Sequence, residues 1–370
     1  MKVRLLEKKN PSDIKRFKQL PFKLYQENPY WVPPLDGEIE NVMNPEKHPF
    51  YRHSEGDFFV VEREKEVLGR IAVLHNKNYC SFHDEKTAFF YYFESVNDPE
   101  VASLLFASIE AWATARGLNK VFGPRGFLRS NGIGLLVEGF NFWPAVGIPY
   151  NHDYYGALIE GNGYTKSHDY FSGYLDKHPD PQIHTIAEKV LARGNFSIVD
   201  FKHKSEMEDW IPRIEEVHHK AFAHNPSYYP STKEEFDQLA RNIIAVADPR
   251  FIKLIKYKDE IAGFVIGYPN INRALKRANG KLFPLGWLYI LLENKFPQVL
   301  DLNGVGIMPE YQGLGGNVLL YSELDKVTRQ AGSKMAEIVQ VDERNFRSKS
   351  DMETLGVNFT KVHRTYQKDI

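Results

Sequence analysis

Two related α/β halves, each a mixed and mostly antiparallel sheet flanked by helices, are the fold that this sequence predicts. The chain has 370 residues, of which 42% are hydrophobic, and this length allows two domains of ordinary size. Each half contains a strand–turn–strand pattern followed by a helical pattern that ends at a glycine. These patterns occur in the same order in both halves, which indicates an internal duplication.

The evidence for the duplication is a matching hairpin and a matching helix in each half. Around Gly69 and around Gly263 the sequence reads as an apolar strand, a charged turn and a second apolar strand. Apolar residues then recur at helical spacing from Leu104 to Gly117 and from Leu319 to Gly332, with glycine where a helix commonly ends. The alternative that any two α/β domains share such patterns stays open at this point.

A polar, proline-rich stretch at residues 176–181 separates the two halves. Residues Ile183 to Arg193 after it predict a short amphipathic helix that is closed by Gly194. We therefore expect one domain at residues 1–178, a linker helix within residues 179–194 and a second domain at residues 195–370.

The composition excludes several classes of partner. The formal net charge is -1, so we expect neither a nucleic acid nor an anionic membrane as partner. Cys80 is the only cysteine, which excludes an internal disulfide and fits a cytoplasmic protein. The longest apolar run, Leu285 to Leu292, has eight residues and is too short to span a bilayer. The sequence predicts a soluble, cytoplasmic protein.

The most informative segment is a strand, a glycine turn and a helix. The strand is predicted from Val299 to Ile307 and is stopped by Pro309; three glycines follow between residues 313 and 316, and the helix starts near Asn317. Glycines let the backbone approach a ligand, and the free N–H groups of a first helical turn bind anions. The residue spacing excludes a Walker loop and a Gly-x-Gly-x-x-Gly motif. A glycine turn that binds nothing is the alternative.

The loop Gln312-Gly313-Leu314-Gly315-Gly316 resembles the Gln/Arg-x-x-Gly-x-Gly/Ala pyrophosphate loop of the GNAT acyltransferase superfamily. The order of hairpin, strand, loop, long helix and strand supports the resemblance over residues 195–370, and more weakly over residues 1–178. The resemblance implies two tandem GNAT-like domains. It also implies acetyl-CoA or another acyl-CoA as co-substrate, and no metal.

The same resemblance implies a set of binding residues. Those expected to cradle the coenzyme A pyrophosphate are Gln312, Gly313, Leu314, Gly315, Gly316 and Asn317. Ile307 would offer backbone groups to the pantetheine arm, with Asn345 and Ser348 on the other side of that arm. The strands Leu300–Ile307 and Met335–Val341 would splay apart to admit the thioester.

The first half lacks such a loop. Its corresponding segment, Glu94 to Ser103, contains no glycine. Asp98 and Glu100 would repel a pyrophosphate, although acidic residues stabilise the start of a helix. We expect a degenerate first half and one coenzyme site per chain.

Acyl transfer to an amine needs a base and a donor for the oxyanion. Asp301 is the first candidate base, because it lies six residues before Ile307 and a regular strand would place both on one face. A β-bulge would break that inference. Glu310 is the second candidate, with the alternative that it is a solvated loop charge.

The acid is less clear. The family position for a thiolate-protonating tyrosine is occupied by Met352. Tyr366, or Tyr321 on the helix, is a candidate replacement, although either also reads as a core aromatic. A thiol with a pKa of ~8.5 also leaves without much help.

The resemblance implies an acyl-CoA-dependent N-acyltransferase, and we expect acetyl transfer from acetyl-CoA to an amine of a small molecule or peptide. One alternative is a non-catalytic acyl-CoA-binding or regulatory protein, and another is an aminoacyl-transferase that uses charged tRNA, which the near-neutral charge disfavours. The Gly/Pro/aromatic loops between Gly123 and Tyr155 could line the acceptor pocket or cover a sheet edge. His218, His219 and His224 do not have the spacing of a metal site.

Overall fold

The structure is a computed structural model that describes residues 1–175, 182–223, 225, 227–246 and 248–370. The predicted boundary at residue 178 and the whole proline-rich stretch at residues 176–181 lie outside these residues.

The first half begins with a strand and two helices that precede its hairpin. Its elements are β1 (Lys2–Leu5), α1 (Pro11–Leu24), α2 (Glu38–Val42), β2 (Glu55–Arg63), β3 (Glu66–His75), α3 (Lys77–His83), β4 (Thr87–Ser95), α4 (Pro99–Thr114), β5 (Lys120–Gly123), β6 (Leu135–Glu138), α5 (Tyr155–Glu160) and β7 (Thr165–Leu175).

The second half begins with the helix that was predicted after the proline-rich stretch. Its elements are α6 (Gln182–Ala192), β8 (Phe196–Asp200), α7 (Lys204–Phe222), α8 (Lys233–Val246), β9 (Ile252–Tyr257), β10 (Glu260–Pro269), α9 (Asn272–Arg277), α10 (Gly286–Lys295), β11 (Val299–Ile307), α11 (Gly316–Gln330), β12 (Met335–Asp342), α12 (Phe346–Thr354) and β13 (Asn358–Asp369).

The strands of the described residues form one sheet. Its order is β1-β2-β3-β4-β5-β13-β7-β12-β11-β10-β9-β8, and β6 lies against β13. The pairs β4–β5 and β11–β12 are parallel, while the others are antiparallel. The predicted mixed, mostly antiparallel α/β fold is therefore confirmed.

The two halves exchange their closing strands. In β13 Tyr366 lies opposite Gly123 of β5, so the last strand of the chain completes the sheet of the first half. In β7 Gly173 lies opposite Ile338 of β12, so the first half contributes a strand to the second. The sequence predicted a separate sheet in each half, whereas this exchange joins them into one.

Both predicted hairpins and both predicted long helices are present. A Cβ atom on Gly69 would lie 2.7 Å from Val101 Cγ1 of α4, and one on Gly263 would lie 2.5 Å from Ile307 Cδ1 of β11. Such short distances leave no room for a side chain, so each glycine allows its hairpin to pack closely. The side chains of α4 and α11 cover the core of the first and second half, respectively.

A β-bulge occurs at corresponding places in the two halves. β4 has one extra residue between Tyr91 and Glu94 relative to β3. β11 likewise has one extra residue between Leu302 and Val305 relative to β10. Because a bulge is a specific feature of a strand rather than a general property of α/β folds, this agreement supports the duplication.

No helix in the part of the chain that the structure describes is long and apolar enough to cross a membrane.

Candidate active site

The strands β11 and β12 separate halfway along their length. They pair in parallel only as far as Leu302 and Ile338. Each strand has an extra residue at this point, since the pairing of β12 with β7 also shifts between Ile338 and Val341. Gln340, within this second bulge, has a left-handed φ of 51°. The result is the opening between strands that the resemblance implied.

The N-terminus of α11 lies at the mouth of this opening. A Cβ atom on Gly316 would be 3.3 Å from Ile307 Cδ1, at the end of β11. Gly315 caps the helix with a φ of 98° and without a side-chain hydrogen bond. No acceptor among the described residues pairs with the N–H groups of Gly313 to Val318. These exposed donors and the helix dipole favour a bound anion.

The other loop residues hold the turn in place. Gln312 Nε2 donates a hydrogen bond of 3.2 Å to the carbonyl of Ile307, which braces the loop against the strand end. Leu314 is exposed. A Cβ atom on Gly315 would lie 2.8 Å from Val190 Cγ2 of α6, so the linker helix supports the loop from behind.

The helix α12 stands beside the start of α11. Asn317 Nδ2 of α11 donates to Asp351 Oδ2 of α12 over 3.4 Å. Asn345 caps α12, because its Oδ1 accepts the N–H of Ser348 over 3.2 Å. The structure thus brings Asn345 and Ser348 together at the start of a helix next to α11, with a local capping contact between them.

The corresponding helix of the first half is already capped. Asp98 accepts the N–H of Glu100 over 2.9 Å, so a carboxylate occupies the N-terminus of α4. A second anion at this terminus would meet that negative charge. Of the two corresponding helices, α11 is the one with an open anion site.

Asp301 does not share a face with Ile307, which corrects the prediction from their even spacing. Leu300 and Leu302 pack in the same apolar cluster as Ile307, on the side of α11. Side chains alternate along a strand, so Asp301 points to the opposite face. The extra residue in β11 between Leu302 and Val305 is the physical reason.

On that opposite face Asp301 forms a buried pair with Glu337. The two residues lie opposite each other on the parallel strands β11 and β12, and their exposed fractions are 0% and 1%. Asp301 Oδ1 accepts from Asn270 Nδ2 over 2.9 Å, and Oδ2 accepts from the N–H of Val146 over 2.7 Å. Burial, together with the charge of Glu337, raises the pKa of Asp301 from 3.8 to about 8.

Lys361 provides the counter-charge. Its Nζ, on β13, lies 2.5 Å from Glu337 Oε1 and donates to the carbonyl of Trp143 over 2.6 Å and to Tyr174 Oη over 3.2 Å. Burial raises the pKa of Glu337, and Lys361 opposes this rise. No donor in the described chain makes an aligned hydrogen bond to either Glu337 carboxylate oxygen, although Lys361 Nζ and the Tyr174 hydroxyl both face this carboxylate.

The first half shows that the fold does not need these carboxylates. The residues of β4 and β5 that correspond to Asp301 and Glu337 are Phe89 and Phe122, which are opposite each other in the same way. Their rings meet edge to face at 5.9 Å between centroids. Because a buried acidic pair is costly where an apolar pair fits, the pair in the second half points to a role beyond folding.

A cavity of about 380 Å³ lies on the same face of the sheet. Val299 and Met335, each two residues before a carboxylate on the same strand, line it. Residues 141–143 form one wall, and Arg273 of α9 and Glu293 of α10 contribute to another. Part of the insertion of the first half therefore lines this cavity.

The polar groups of the cavity are placed for a ligand with both polar and apolar parts. Thr360 lines it, and its Oγ1 is buried without a hydrogen-bond partner in the described chain. Tyr174 and Asn270 also line the cavity. Asn270 donates to Asp301, and Tyr174 accepts from Lys361. Phe142 and Trp143 supply apolar surface. An amine with nearby hydroxyl groups and an apolar chain matches this distribution.

Tyr366 is not brought to this site. The strand exchange carries it into the first half, where it lies opposite Gly123 and is 1% exposed in the core. Its hydroxyl donates to Glu160 Oε1 over 3.3 Å. Of the other candidates, Glu310 is exposed on the loop and Tyr321 packs beside the core of the second half. We do not retain Tyr366 as an acid.

The histidine group has a different environment. The Arg129 guanidinium donates to the ring of His218, and burial lowers the pKa of His218 to about 3. His224 lies outside the described residues. Among the residues that the structure describes, no group of three His, Cys, Asp or Glu side chains could hold a metal ion.

Three residues of the candidate site were not predicted from the sequence: Glu337, Lys361 and Tyr174. The available signal was a single carboxylate in each of two predicted apolar strands, in Leu300-Asp301-Leu302 and in Ala336-Glu337-Ile338. Pairing these strands in parallel would have brought the carboxylates together. The contribution of β7 and β13 depends on the strand exchange, for which there was no local signal.

Removing the buried cation tests the cluster as a structural unit. We expect Lys361→Met to lower the free energy of unfolding by about 3–5 kcal/mol, because it leaves Glu337 as an uncompensated buried charge. The double variant Glu337→Gln/Lys361→Met should recover most of this loss, as measured by denaturant unfolding. Equal stability of the Lys361→Met variant and the wild type would show that the ion pair is not formed.

Comparison with solved structures identifies the fold. A tandem GNAT protein from the clavulanic acid biosynthesis pathway superposes with a TM-score of 0.56 and 12% identity, covering 100% of this chain and 98% of the other. A GCN5-related N-acetyltransferase from Sphaerobacter thermophilus gives a TM-score of 0.54 and 14% identity, covering 99% and 95%. This chain has the tandem GNAT fold, as the loop resemblance implied.

Two similar curated proteins extend over nearly the whole chain. One is a bacterial ceramide synthase from Caulobacter vibrioides, 29% identical and covering 97% of this chain and 96% of the relative. The other is protein YghO from Escherichia coli, 26% identical and covering 98% and 94%. No protein-family model matches the chain.

Proposed function

We propose that this protein is an acyl-CoA-dependent N-acyltransferase that joins the acyl group to an amine held in the cavity. One observation carries the proposal: the split between β11 and β12 has an open helix N-terminus at its mouth and a buried carboxylate pair beside it, on the opposite face of the sheet. The helix N-terminus suits a pyrophosphate, and the carboxylate pair suits proton removal from an amine. On this proposal, residues 195–370 bind the coenzyme and residues 1–178 do not.

In the reaction we propose, the pyrophosphate lies against the N–H groups of the loop from Gly313 to Asn317, and the pantetheine arm passes through the split. The acceptor amine loses a proton to the Asp301–Glu337 pair, most directly to a Glu337 oxygen that no aligned donor occupies. The amine nitrogen then attacks the thioester carbon, and the carbon–sulfur bond breaks so that the coenzyme leaves as a thiolate. The proton that the nitrogen gives up in forming the amide ends on this sulfur, which yields the free thiol. Backbone N–H groups at the β11 bulge, where pairing with β12 has ended, are the proposed donors to the oxyanion.

The donor and acceptor that we propose are an acyl-CoA with a chain longer than acetyl and a long-chain amino alcohol. The cavity offers one unpaired hydroxyl oxygen, that of Thr360, next to aromatic surface, which suits an amine with hydroxyl groups and an apolar chain. The relative named a ceramide synthase points in the same direction, since a ceramide is an amide of a fatty acid and such an amine. Acetyl transfer to a small-molecule or peptide amine, which the sequence suggested, is the second candidate.

Thiol release tests the proposal. We would follow free coenzyme A with acetyl-CoA and with acyl-CoAs of increasing chain length, each with sphinganine, with a lysine-containing peptide and with N-acetylsphinganine. The blocked amine is the matched control, because it keeps the chain and hydroxyl groups but has no free amine to acylate. We expect release with long-chain donors and sphinganine only. Acyl-CoA binding without release for any amine would instead indicate the non-catalytic alternative.

The carboxylate pair predicts a pH dependence. Asp301 has a raised pKa of about 8, so the Asp301–Glu337 pair gains its second negative charge near that pH. The fully ionised pair is the stronger base. We expect kcat/KM to rise by up to about tenfold per pH unit below that pKa and then to level off. Asp301→Asn should lose this component, while the titration of the acceptor amine remains in both profiles. Identical profiles for the two proteins would contradict a role for Asp301 in the pH dependence.

A further inference from the structure

The most apolar exposed surface of the molecule is formed by α10 and the residues before it. Fifteen large hydrophobic residues are exposed in the described chain, and seven of them lie between residues 282 and 296. We call these seven the apolar surface: Leu282, Phe283, Leu285, Trp287, Leu291, Leu292 and Phe296. Such a concentration of exposed apolar side chains marks an interaction site rather than ordinary surface.

The sequence of α10 explains why this surface cannot be buried by the chain itself. Every side chain from Trp287 to Leu292 is apolar or aromatic, so the helix has no polar face to present to water before its last turn. One side packs on α9, where Arg277 lies over the ring of Tyr289 at 4.2 Å. The other sides stay exposed. A helix of ten residues is too short to cross a bilayer, but it can lie in the interface of one.

The segment that carries the apolar surface is mostly positively charged, and Asp36 of the first half is an acid beside Lys281. Between Asn272 and Val299 the chain has five Lys or Arg residues and a single acid, Glu293, although its overall net charge is -1. Arg273, Arg277, Lys281 and Lys295 are exposed. Lysine and arginine beside exposed aromatic and leucine side chains are the combination that binds anionic lipid headgroups.

The apolar surface lies next to the cavity. Glu293 of α10 and Arg273 of α9 both line the cavity that adjoins the carboxylate pair, so α10 forms a wall between the cavity and the apolar surface. The two helices are also fixed to the first half, because Lys276 Nζ donates to the carbonyls of Asn28 and Trp31 over 2.7 and 2.8 Å. The surface is therefore held next to the cavity rather than on a free arm.

We propose that the apolar surface and its basic rim dock the protein on an anionic lipid bilayer. Phe283, Trp287 and the leucines enter the headgroup region, while Lys281 and Lys295 contact lipid phosphates. This departs from the expectation, based on net charge, that the protein has no membrane partner, because the local charge differs from the overall charge. Docking does not depend on the proposed reaction. It would nevertheless place a membrane-resident acceptor amine next to the cavity.

Vesicle flotation with the full-length protein tests the docking. We expect the wild type to float with vesicles of phosphatidylcholine that contain phosphatidylglycerol, and to bind more weakly to phosphatidylcholine alone. Leu285→Gln/Leu291→Gln/Leu292→Gln removes side chains that are 51%, 55% and 50% exposed, so the fold should be retained. The partition coefficient should fall about a hundredfold, since three half-buried leucine contacts with lipid are lost.

Two control variants make the result specific. Leu5→Gln/Phe82→Gln/Ile186→Gln removes side chains that are 55%, 51% and 46% exposed elsewhere on the molecule, and it should float like the wild type. Lys281→Gln/Lys295→Gln should weaken binding to the anionic vesicles about fivefold per charge, and hardly affect binding to neutral ones. Thiol release in detergent-solubilised substrate should not depend on these lysines, which separates docking from catalysis.

Three outcomes would overturn the docking proposal. The wild type could stay off anionic vesicles, or the triple leucine variant could float as well as the wild type. The wild type could also form a dimer that the leucine substitutions dissociate, and would then fail to float. That result would assign the apolar surface to contact between two copies of the chain.

Discussion

Replacement of Glu337 by glutamine is expected to lower kcat by about 10²–10³-fold with little change in the affinity for acyl-CoA. Glutamine keeps the size of the side chain but cannot accept the amine proton. Glu337 is buried beside Lys361, and its oxygens lack aligned donors in the described residues. The loss should therefore fall on the chemical step. It would be measured as the rate of thiol release at saturating donor and acceptor.

Two further variants separate chemistry from folding. Glu310→Gln is the matched control, since Glu310 is exposed on the loop and was the second candidate base from the sequence; its rate should equal that of the wild type. Glu337→Gln/Lys361→Met restores charge balance in the buried cluster but should remain inactive. Recovery of activity in this double variant would show that Glu337 acts through stability and not as a base.

Replacement of Gly313 by aspartate is expected to weaken acyl-CoA binding at least about a hundredfold, because two negative charges brought together at a binding site cost several kcal/mol. Gly313 has a φ of 77°, and a Cβ atom there would meet nothing within 4 Å. The new carboxylate would lie among the N–H groups that we assign to the pyrophosphate. An acidic residue near a helix N-terminus also stabilises the helix, so the loss cannot be attributed to unfolding of α11. Calorimetric titration of the dissociation constant is the measurement.

The chain offers two close controls for this variant. Gly313→Asn has nearly the same size and tolerates the same left-handed backbone, so its dissociation constant should stay within about threefold of the wild type. Gly332→Asp introduces the same charge at the other end of α11, where φ is 70° and the space is equally open. A loss of binding in Gly313→Asn equal to that in Gly313→Asp would indicate a backbone effect and not charge repulsion.

The sequence predicted those parts of the fold that short segments encode. The hairpins around Gly69 and Gly263 and the strand, loop and helix after Val299 were recognisable, because turn residues and apolar periodicity lie within a few residues of each other. The strand exchange was not recognisable. The pairing of β13 with β5 joins segments more than two hundred residues apart, and the local pattern of a strand does not identify its partner.

The candidate site was likewise predictable only in part. The anion-binding loop follows from local glycines, whereas the Asp301–Glu337 pair depends on the register of two strands. One inserted residue in β11 turned Asp301 away from Ile307, because each additional residue reverses the face of a strand. The position of Tyr366 was not predictable from local sequence, because the exchange of β13 carries this residue to the first half.

The most direct test of the account is the molar balance of the reaction. Purified protein would be incubated with a long-chain acyl-CoA and sphinganine, and the free thiol and the amide would be quantified in the same samples by mass spectrometry. The proposed reaction yields equal amounts of coenzyme A and N-acylsphinganine, both strongly reduced in the Glu337→Gln variant. Thiol release without amide, or amide formation that is unaffected by this variant, would contradict it.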